Sequence, residues 1–282
     1  MEVGHAAAPH RSMGVVEDDK RNRLRAGFDK AAEDYDRTRP VCPAQVFDDL
    51  MRLAGLAPGD RAVEIGCGTG QATVPLAQRG LAITALELGA ELAAVARRRL
   101  AGFPSVDVVT TSFESWEPQD APFDAVVAFN SLHWIHPQLR YSKPFGLLEP
   151  GGAMVVGGCL WAQPADADRF WTDAQDDYRA VGYQGGPPPP PEQIGPQHFP
   201  VEAAAFFEEV ASLRYPFQVG YSAEDYLANL ATQSGTHALG EARSAEFMAR
   251  VRDRLQSLDW PALTATFVGF LTVGQRRGSR EE

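Results

Sequence analysis

The chain has 282 residues, 44% of them hydrophobic, enough for one large α/β domain and too apolar for a disordered protein. A formal charge of −11 and a pI near 5.1 argue against a nucleic-acid binder, which needs a basic face. No apolar run reaches the ~18 residues that a membrane helix requires, and the N-terminal segment lacks the basic start and apolar core of a secretory leader. No membrane partner and a cytoplasmic location are therefore expected. Cys42, Cys67 and Cys159 lie far apart in sequence, with neither metal-ligand spacing nor a disulfide framework.

Residues 1–20 lack periodicity and are expected to be disordered. A helical pattern runs from Arg21 to Asp36, and Pro40 excludes Arg39 from the helical region. A second amphipathic helix is predicted at Pro43–Ala54, stopped by Gly55. Strands and helices then alternate. The strands are Arg61–Ile65, Ala82–Leu86, Val106–Thr110, Phe123–Phe129 and Ala153–Cys159. The helices between them are Thr73–Arg79, Glu91–Leu100 and Leu139–Leu148, the last interrupted or begun by Pro144. This order implies a parallel sheet covered by helices on both faces. Five consecutive prolines at 187–191 mark a stiff surface loop. Val210–Phe217 and Ala265–Val273 read as strands, and Ala223–Ala231 and Ala242–Leu258 as helices.

The first strand runs Val63-Glu64-Ile65 directly into Gly66-Cys67-Gly68-Thr69-Gly70. Glycines there permit a sharp turn and let a ligand lie against main-chain N–H groups. A dinucleotide fingerprint, G-x-G-x-x-G, would need glycine at position 71, where this chain has Gln71. A shorter G-x-G-x-G after an acid suits a ligand without a pyrophosphate. Glu87 ends the second strand, where a carboxylate can accept from both hydroxyls of a ribose. The alternative is that Glu87 only favours the start of the following helix.

Val63–Gly70 resembles motif I of the class I S-adenosylmethionine-dependent methyltransferases. Phe28–Pro40, Ser112–Trp116, Ser131–Trp134 and Leu148–Gly152 extend that resemblance to a bacterial small-molecule subgroup. It implies a Rossmann-like α/β fold: a seven-stranded, mostly parallel sheet with an antiparallel last strand, plus a helical cap. The expected domains are the cofactor-binding core with its N-terminal helices at 21–160, a cap with strand 6 and the proline loop at 161–262, and the last core strand and tail at 263–282. The resemblance further implies S-adenosyl-L-methionine as cofactor and S-adenosyl-L-homocysteine as product. Gly66, Gly68 and Gly70 would line the methionine part, Glu64 would orient its ammonium, and Glu87 would hold the ribose. Ser112 and Phe113 would flank the adenine, serine standing where many relatives carry Asp. Asn130 would pass close to the methionine moiety. Tyr35 and Arg39 either close over the methionine carboxylate or simply pack at a helix end.

Methyl transfer needs an in-line nucleophile, excluded water and, for a protonated acceptor, a base. His133 follows the fourth strand, at the sheet edge where ligands bind. It reads as a base or an orienting group, or else as a structural histidine beside Trp134. His133 and His136 lack a third ligand, so no metal is expected. Trp161 is expected in the acceptor pocket and Trp134 in that pocket or the core, and Cys67 is read as a small residue fitting a tight turn. The Arg97-Arg98-Arg99 run reads as a solvated helix face. Asn130-Ser131-Leu132-His133 departs from the Asn/Asp-Pro-Pro-Tyr/Phe segment of enzymes that methylate exocyclic amines of nucleic acids. Trp161, Phe170, Trp171, Tyr178, Tyr183, Phe206, Phe207 and Tyr226 form either a cap over a small, partly apolar acceptor or padding for a sheet edge. The reading is a small-molecule methyltransferase, with O-methylation ahead of C- or N-methylation. The alternative is a non-methylating reaction on the same fold, such as a rearrangement. The oligomeric state, monomer or homodimer, stays open.

Overall fold

A computed structural model of the chain describes residues 29, 31–119, 122–183, 186–257 and 262–278. The expected disorder of residues 1–20, the helical start at 21–28, the helix end at Leu258 and the tail at 279–282 lie outside the described residues. Seven strands form one sheet: β1 (Arg61–Ile65), β2 (Ala82–Glu87), β3 (Val106–Thr110), β4 (Phe123–Phe129), β5 (Leu148–Ala162), β6 (Phe207–Tyr221) and β7 (Leu263–Arg276). Their order is β3-β2-β1-β4-β5-β7-β6. Pairs among β1 to β5 are parallel, and β7 inserts antiparallel to both β5 and β6. This is the Rossmann-like methyltransferase topology, with ligand-binding loops expected at the carboxyl ends of β1, β2 and β4.

Alternate residues along each central strand enter opposite cores, as the period of two requires. Ala62, Ala125, Val127, Ala153 and Val155 pack on one side with Phe47, Leu76 and Ala96. Val63, Ile65, Val126, Ala128 and Met154 pack on the other with Phe113, Leu132 and Leu148. The helices α1 (Ala32–Thr38), α2 (Ala44–Leu53), α3 (Thr73–Gln78), α4 (Ala90–Leu100) and α5 (Ser142–Leu147) flank this part of the sheet. On α2 the buried residues are Val46, Phe47 and Leu50, one stripe of an amphipathic helix.

The helix α1 continues through Tyr35, Asp36 and Arg37 to Thr38 and stops at Arg39, whose backbone is extended (φ −70°, ψ 134°). Only the residue immediately before Pro40 is forced out of the helix. Helix α5 begins at Ser142, and Pro144 sits in its first turn, where an N–H would have no intrahelical partner. The arginine run is largely solvent-exposed, Arg99 only in part, and it also makes polar contacts. Arg99 pairs with Asp36 at 2.7 Å, Arg98 pairs with Glu33, and Arg97 donates to the Val108 carbonyl at 2.9 Å. Two of these pairs fasten α1 to α4.

The remaining helices are α6 (Arg169–Asp173), α7 (Gln175–Ala180), α8 (Ala223–Ala231), α9 (Ser234–Ala238) and α10 (Glu241–Gln256). They build a third core around Phe170, Tyr226, Leu230, Phe247 and Phe267. Phe206 and Phe207 do not join it. They pack against Phe145, at 5.6 and 6.3 Å between ring centroids, under the opposite face. The proline segment is tied to the sheet edge, with Pro189 accepting from Gln163 N at 3.0 Å and Ile194 buried. β7 is the hinge of this architecture, since it pairs with a strand on each side. Leu271 on β7 is fully buried, and Leu271→Ala should cost about 2–5 kcal/mol, read as a lowered denaturant midpoint with an unchanged slope.

Candidate cofactor and acceptor site

The glycine turn sits at the carboxyl end of β1. Gly66 adopts φ +65°, and a Cβ there would lie 2.8 Å from the Ser131 Cβ. Only glycine meets both conditions without strain. Ser131 in turn donates to the Ile65 carbonyl, so the loop after β4 is bonded to the end of β1. Gly70 N donates to the Cys67 carbonyl at 2.9 Å and closes the turn.

Glu87 locks this turn in place. One carboxylate oxygen accepts from Gly68 N and the other from Gly89 N, each at 2.8 Å. The side chain is 8% exposed and reaches the cavity wall. Glu64, one turn of the pleat before Gly66, is buried at 1% exposure. Its Oε2 has no hydrogen-bond partner among the described residues. Burial pushes its carboxyl up to about 7, against the opposing pull of the neighbouring Thr73 hydroxyl and with a smaller push from the charge of Glu87. A buried carboxyl oxygen facing a cavity without a partner is a feature that a bound cation would satisfy.

Both acids open onto one cavity of about 510 Å³, within the range of small-molecule sites. Gly66, Gly68, Cys67 and Gln71 form its floor at the turn, and Ser112 and Phe113 its wall after β3. Asn130, His133 and Trp134 enter after β4, and Trp161 from the end of β5. Tyr35 and Arg39 come from the N-terminal side, with the Arg39 guanidinium 4.8 Å from the Tyr35 ring centroid. Tyr35 lies over Gly68, its Cε1 only 3.5 Å from where a Cβ would stand.

Arg39 also donates to the Thr232 carbonyl at 2.7 Å and to its hydroxyl at 3.1 Å. Thr38 O accepts from Asn229 Nδ2 at 2.9 Å and from Tyr221 OH at 3.0 Å. The end of α1 is thus clamped between the cavity and α8. Asn130 takes a left-handed backbone, φ +53°, and its Oδ1 accepts from Cys159 N at 3.1 Å. That conformation is strained for a non-glycine residue, and such strain is typical of functional turns. The His133 ring lies 4.8 Å from the Trp134 ring, and its carbonyl accepts from Arg140 at 3.1 Å.

The structure therefore brings Tyr35, Arg39, Glu64, Gly66, Gly68, Glu87, Ser112, Phe113, Asn130, His133, Trp134 and Trp161 to one cavity. Gly70 is set apart from them. Its neighbours are Leu100 and Thr73 rather than the cavity, so its glycine serves the turn at φ +93°. Sequence reasoning missed Asp29, whose Oδ1 accepts from the Glu91 and Leu92 N–H groups at 2.7 and 3.1 Å and caps α4 at the cavity edge. It also missed Asn229 on α8 and Gln233 just before α9. Cys42 and Cys159, distant in sequence, meet in the cavity wall with their sulfurs 2.8 Å apart, both free thiols. No local spacing announces such a pair. Among the described residues no group of three or more His, Cys, Asp or Glu is placed to hold a metal ion.

Because Glu64 binds its proton more tightly folded than unfolded, stability should fall as pH rises from the ordinary carboxylate range through about 7. The loss is on the order of 2–3 kcal/mol. Glu64→Gln should flatten this dependence, measured as denaturant midpoints of the ligand-free protein between about pH 5 and pH 8.

Comparison with known proteins agrees with this geometry. Residues 62–152 match a family model described as a methyltransferase domain. The chain is 30% identical over 151 residues to a demethylmenaquinone methyltransferase of Clavibacter sepedonicus, covering 51% of this chain and 60% of that protein. It is 37% identical over 114 residues to a protein-L-isoaspartate O-methyltransferase of a Polaromonas species, covering 39% and 44%. The chain thus spans less than two thirds of these curated relatives. Among solved structures, a protein assigned as a type II methyltransferase from Anaeromyxobacter dehalogenans shares the fold at a TM-score of 0.59 and 19% identity, over 85% of this chain and 97% of that one. Residues 62–152 thus match a methyltransferase domain, and the strand order and the acid-flanked glycine turn are those that the resemblance to the class I S-adenosylmethionine-dependent methyltransferases implies.

Proposed function

We propose that the protein transfers a methyl group from S-adenosyl-L-methionine to a small-molecule acceptor, with an oxygen as the accepting atom. The observation that carries the reading is the pair of acids at one cavity: Glu87 fixed across the glycine turn, and Glu64 with a buried oxygen awaiting a partner. The cofactor, when bound, supplies a sulfonium methyl group as the electrophile. The chain does the rest. Glu64 receives the ammonium, and Gly66 and Gly68 present their backbone to the methionine part. Glu87 keeps acceptor capacity on both oxygens for ribose hydroxyls. Ser112 offers a neutral hydroxyl to the adenine, and Phe113 an apolar face. Tyr35 and Arg39 cover the methionine carboxylate, and Asn130 borders the same region.

His133 lines the acceptor side of the cavity and takes the proton that an acceptor hydroxyl releases as its oxygen attacks. Its general-base contribution should be about 10²–10⁴-fold. A small acceptor is supported by the size of the cavity and by the name of the Clavibacter relative, demethylmenaquinone methyltransferase. The matched region ends at residue 152, and the segment after it adds to the acceptor-side wall that His133 and Trp134 begin. We assign residues 161–262 a share in choosing the acceptor.

Three measurements test this reading. Glu87→Ala should weaken S-adenosylhomocysteine binding by at least about 1.5 kcal/mol; unchanged affinity in a folded variant would remove the ribose assignment. Affinity for the same ligand should rise up to tenfold per pH unit below about 7 and then level off, as Glu64 ionises to meet the ammonium. A Glu64→Gln variant should bind weakly and without that slope. His133→Ala should lower turnover to S-adenosylhomocysteine while sparing cofactor affinity, and equal turnover would make His133 structural.

A further inference from the structure

A second, smaller chamber of about 170 Å³ lies behind the main cavity. Trp161 and Gln233 line both spaces and form the partition between them. The Trp161 ring centroid is 4.4 Å from that of Phe267, which faces the main cavity, and 6.4 Å from that of Tyr226, which faces the chamber.

We propose that this chamber seats an uncharged, single aromatic ring belonging to the methyl acceptor. The inference rests on the methyl-transfer reading for its last clause only; the chamber's preference for a ring stands on its walls. Size comes first. A dry protein cavity of about 150 Å³ accommodates benzene, so a space of about 170 Å³ suits one six-membered ring better than a fused system.

Wall chemistry comes next. Trp161, Trp171, Tyr178, Tyr183 and Tyr226 contribute five aromatic side chains. They meet edge to face, Trp171 on Tyr226 at 5.3 Å and 88°, and Tyr178 on Tyr183 at 4.9 Å and 90°. A further ring extends that arrangement, each such pair adding to plain area burial. The polar lining consists of amides and hydroxyls, with Gln163, Gln175, Gln233 and Thr266 among them. No Asp, Glu, Lys, Arg or His lines the chamber among the described residues. The adjacent Asp177 is committed to Arg254 through a two-point ion pair at 2.5 and 3.1 Å. A carboxylate or phosphate guest would lose its hydration without a counter-charge, and an ammonium would find no anion. A phenolic or similarly neutral ring suffers neither penalty, and the glutamine amides can answer its substituents.

The test uses the full chain without cofactor. Binding of p-cresol, benzoate and tetramethylammonium is followed by ligand-observed NMR and by tryptophan fluorescence. The expected result is saturable p-cresol binding, with benzoate and tetramethylammonium at least tenfold weaker. Trp171→Ala, at a partly buried position, should weaken p-cresol at least tenfold, and Trp171→Phe should retain most of the affinity. Circular dichroism and the thermal midpoint verify that each variant is folded. Preference for either ion, or equal p-cresol affinity in a folded Trp171→Ala, would overturn the proposal. With S-adenosylmethionine added, methyl transfer to monocyclic phenols should exceed transfer to open-chain alcohols of similar size at least tenfold; the reverse preference would sever the chamber from the acceptor. Failure of the cofactor to bind would instead leave the ring site standing and defeat the methyl-transfer reading.

Discussion

The site depends on one carboxylate held between two loops. Glu87 ends β2, yet its two oxygens accept from Gly68 after β1 and from Gly89 before α4. Parallel neighbours β1 and β2 end side by side, Ile65 opposite Leu86, so the acid arrives where both loops expose backbone N–H groups. Charge-assisted hydrogen bonds of this kind are about twice as strong as neutral ones. They hold the glycine turn open toward the cavity and fix the carboxylate's orientation before any ligand enters. Preorganisation of this sort reduces the ordering a ligand must impose on binding.

Around that point the sheet distributes polar groups unevenly. Glu64 is the one acid buried inside β1, on a strand whose other inward positions are Ala62, Val63 and Ile65. A polar group without a partner in such a place is destabilising on its own, and a protein retains it where a ligand completes it. The clamps from α1 to α8, through Thr38, Arg39 and Thr232, have a related consequence. They join the N-terminal cover of the cavity to the helices that form the aromatic chamber. The covering segment and the acceptor-facing segment are therefore positioned together.

Much of this was legible in the sequence because the parallel core is written locally. β1, β3 and β4 are short apolar runs closed by glycine or by polar turns, and their bounds follow from those runs. The order of glycine turn and strand-end acids likewise located the cavity floor, and the family resemblance added Ser112, Phe113 and Asn130 to its wall. What was illegible depends on pairs distant in the chain. Asp29 caps α4 across more than fifty positions, and Cys42 meets Cys159 only because β5 runs beneath the segment after Pro40. Arg98 and Arg99 lie on a solvent-facing run as their spacing suggests, but their pairing with Glu33 and Asp36 of α1 is invisible in it. Composition alone grouped Phe206 and Phe207 with the cap aromatics, whereas the start of β6 turns them toward Phe145. Gly70 shows the same limit: its backbone angle calls for glycine, and its nearest neighbours are Leu100 and Thr73.

The central claim is that these residues form a site for an adenosylated amino acid. Calorimetric titration of the purified protein with S-adenosylhomocysteine, with NADH as control, tests it most directly. The account predicts micromolar binding of S-adenosylhomocysteine and none of NADH. Binding of NADH, or of neither ligand, would contradict it.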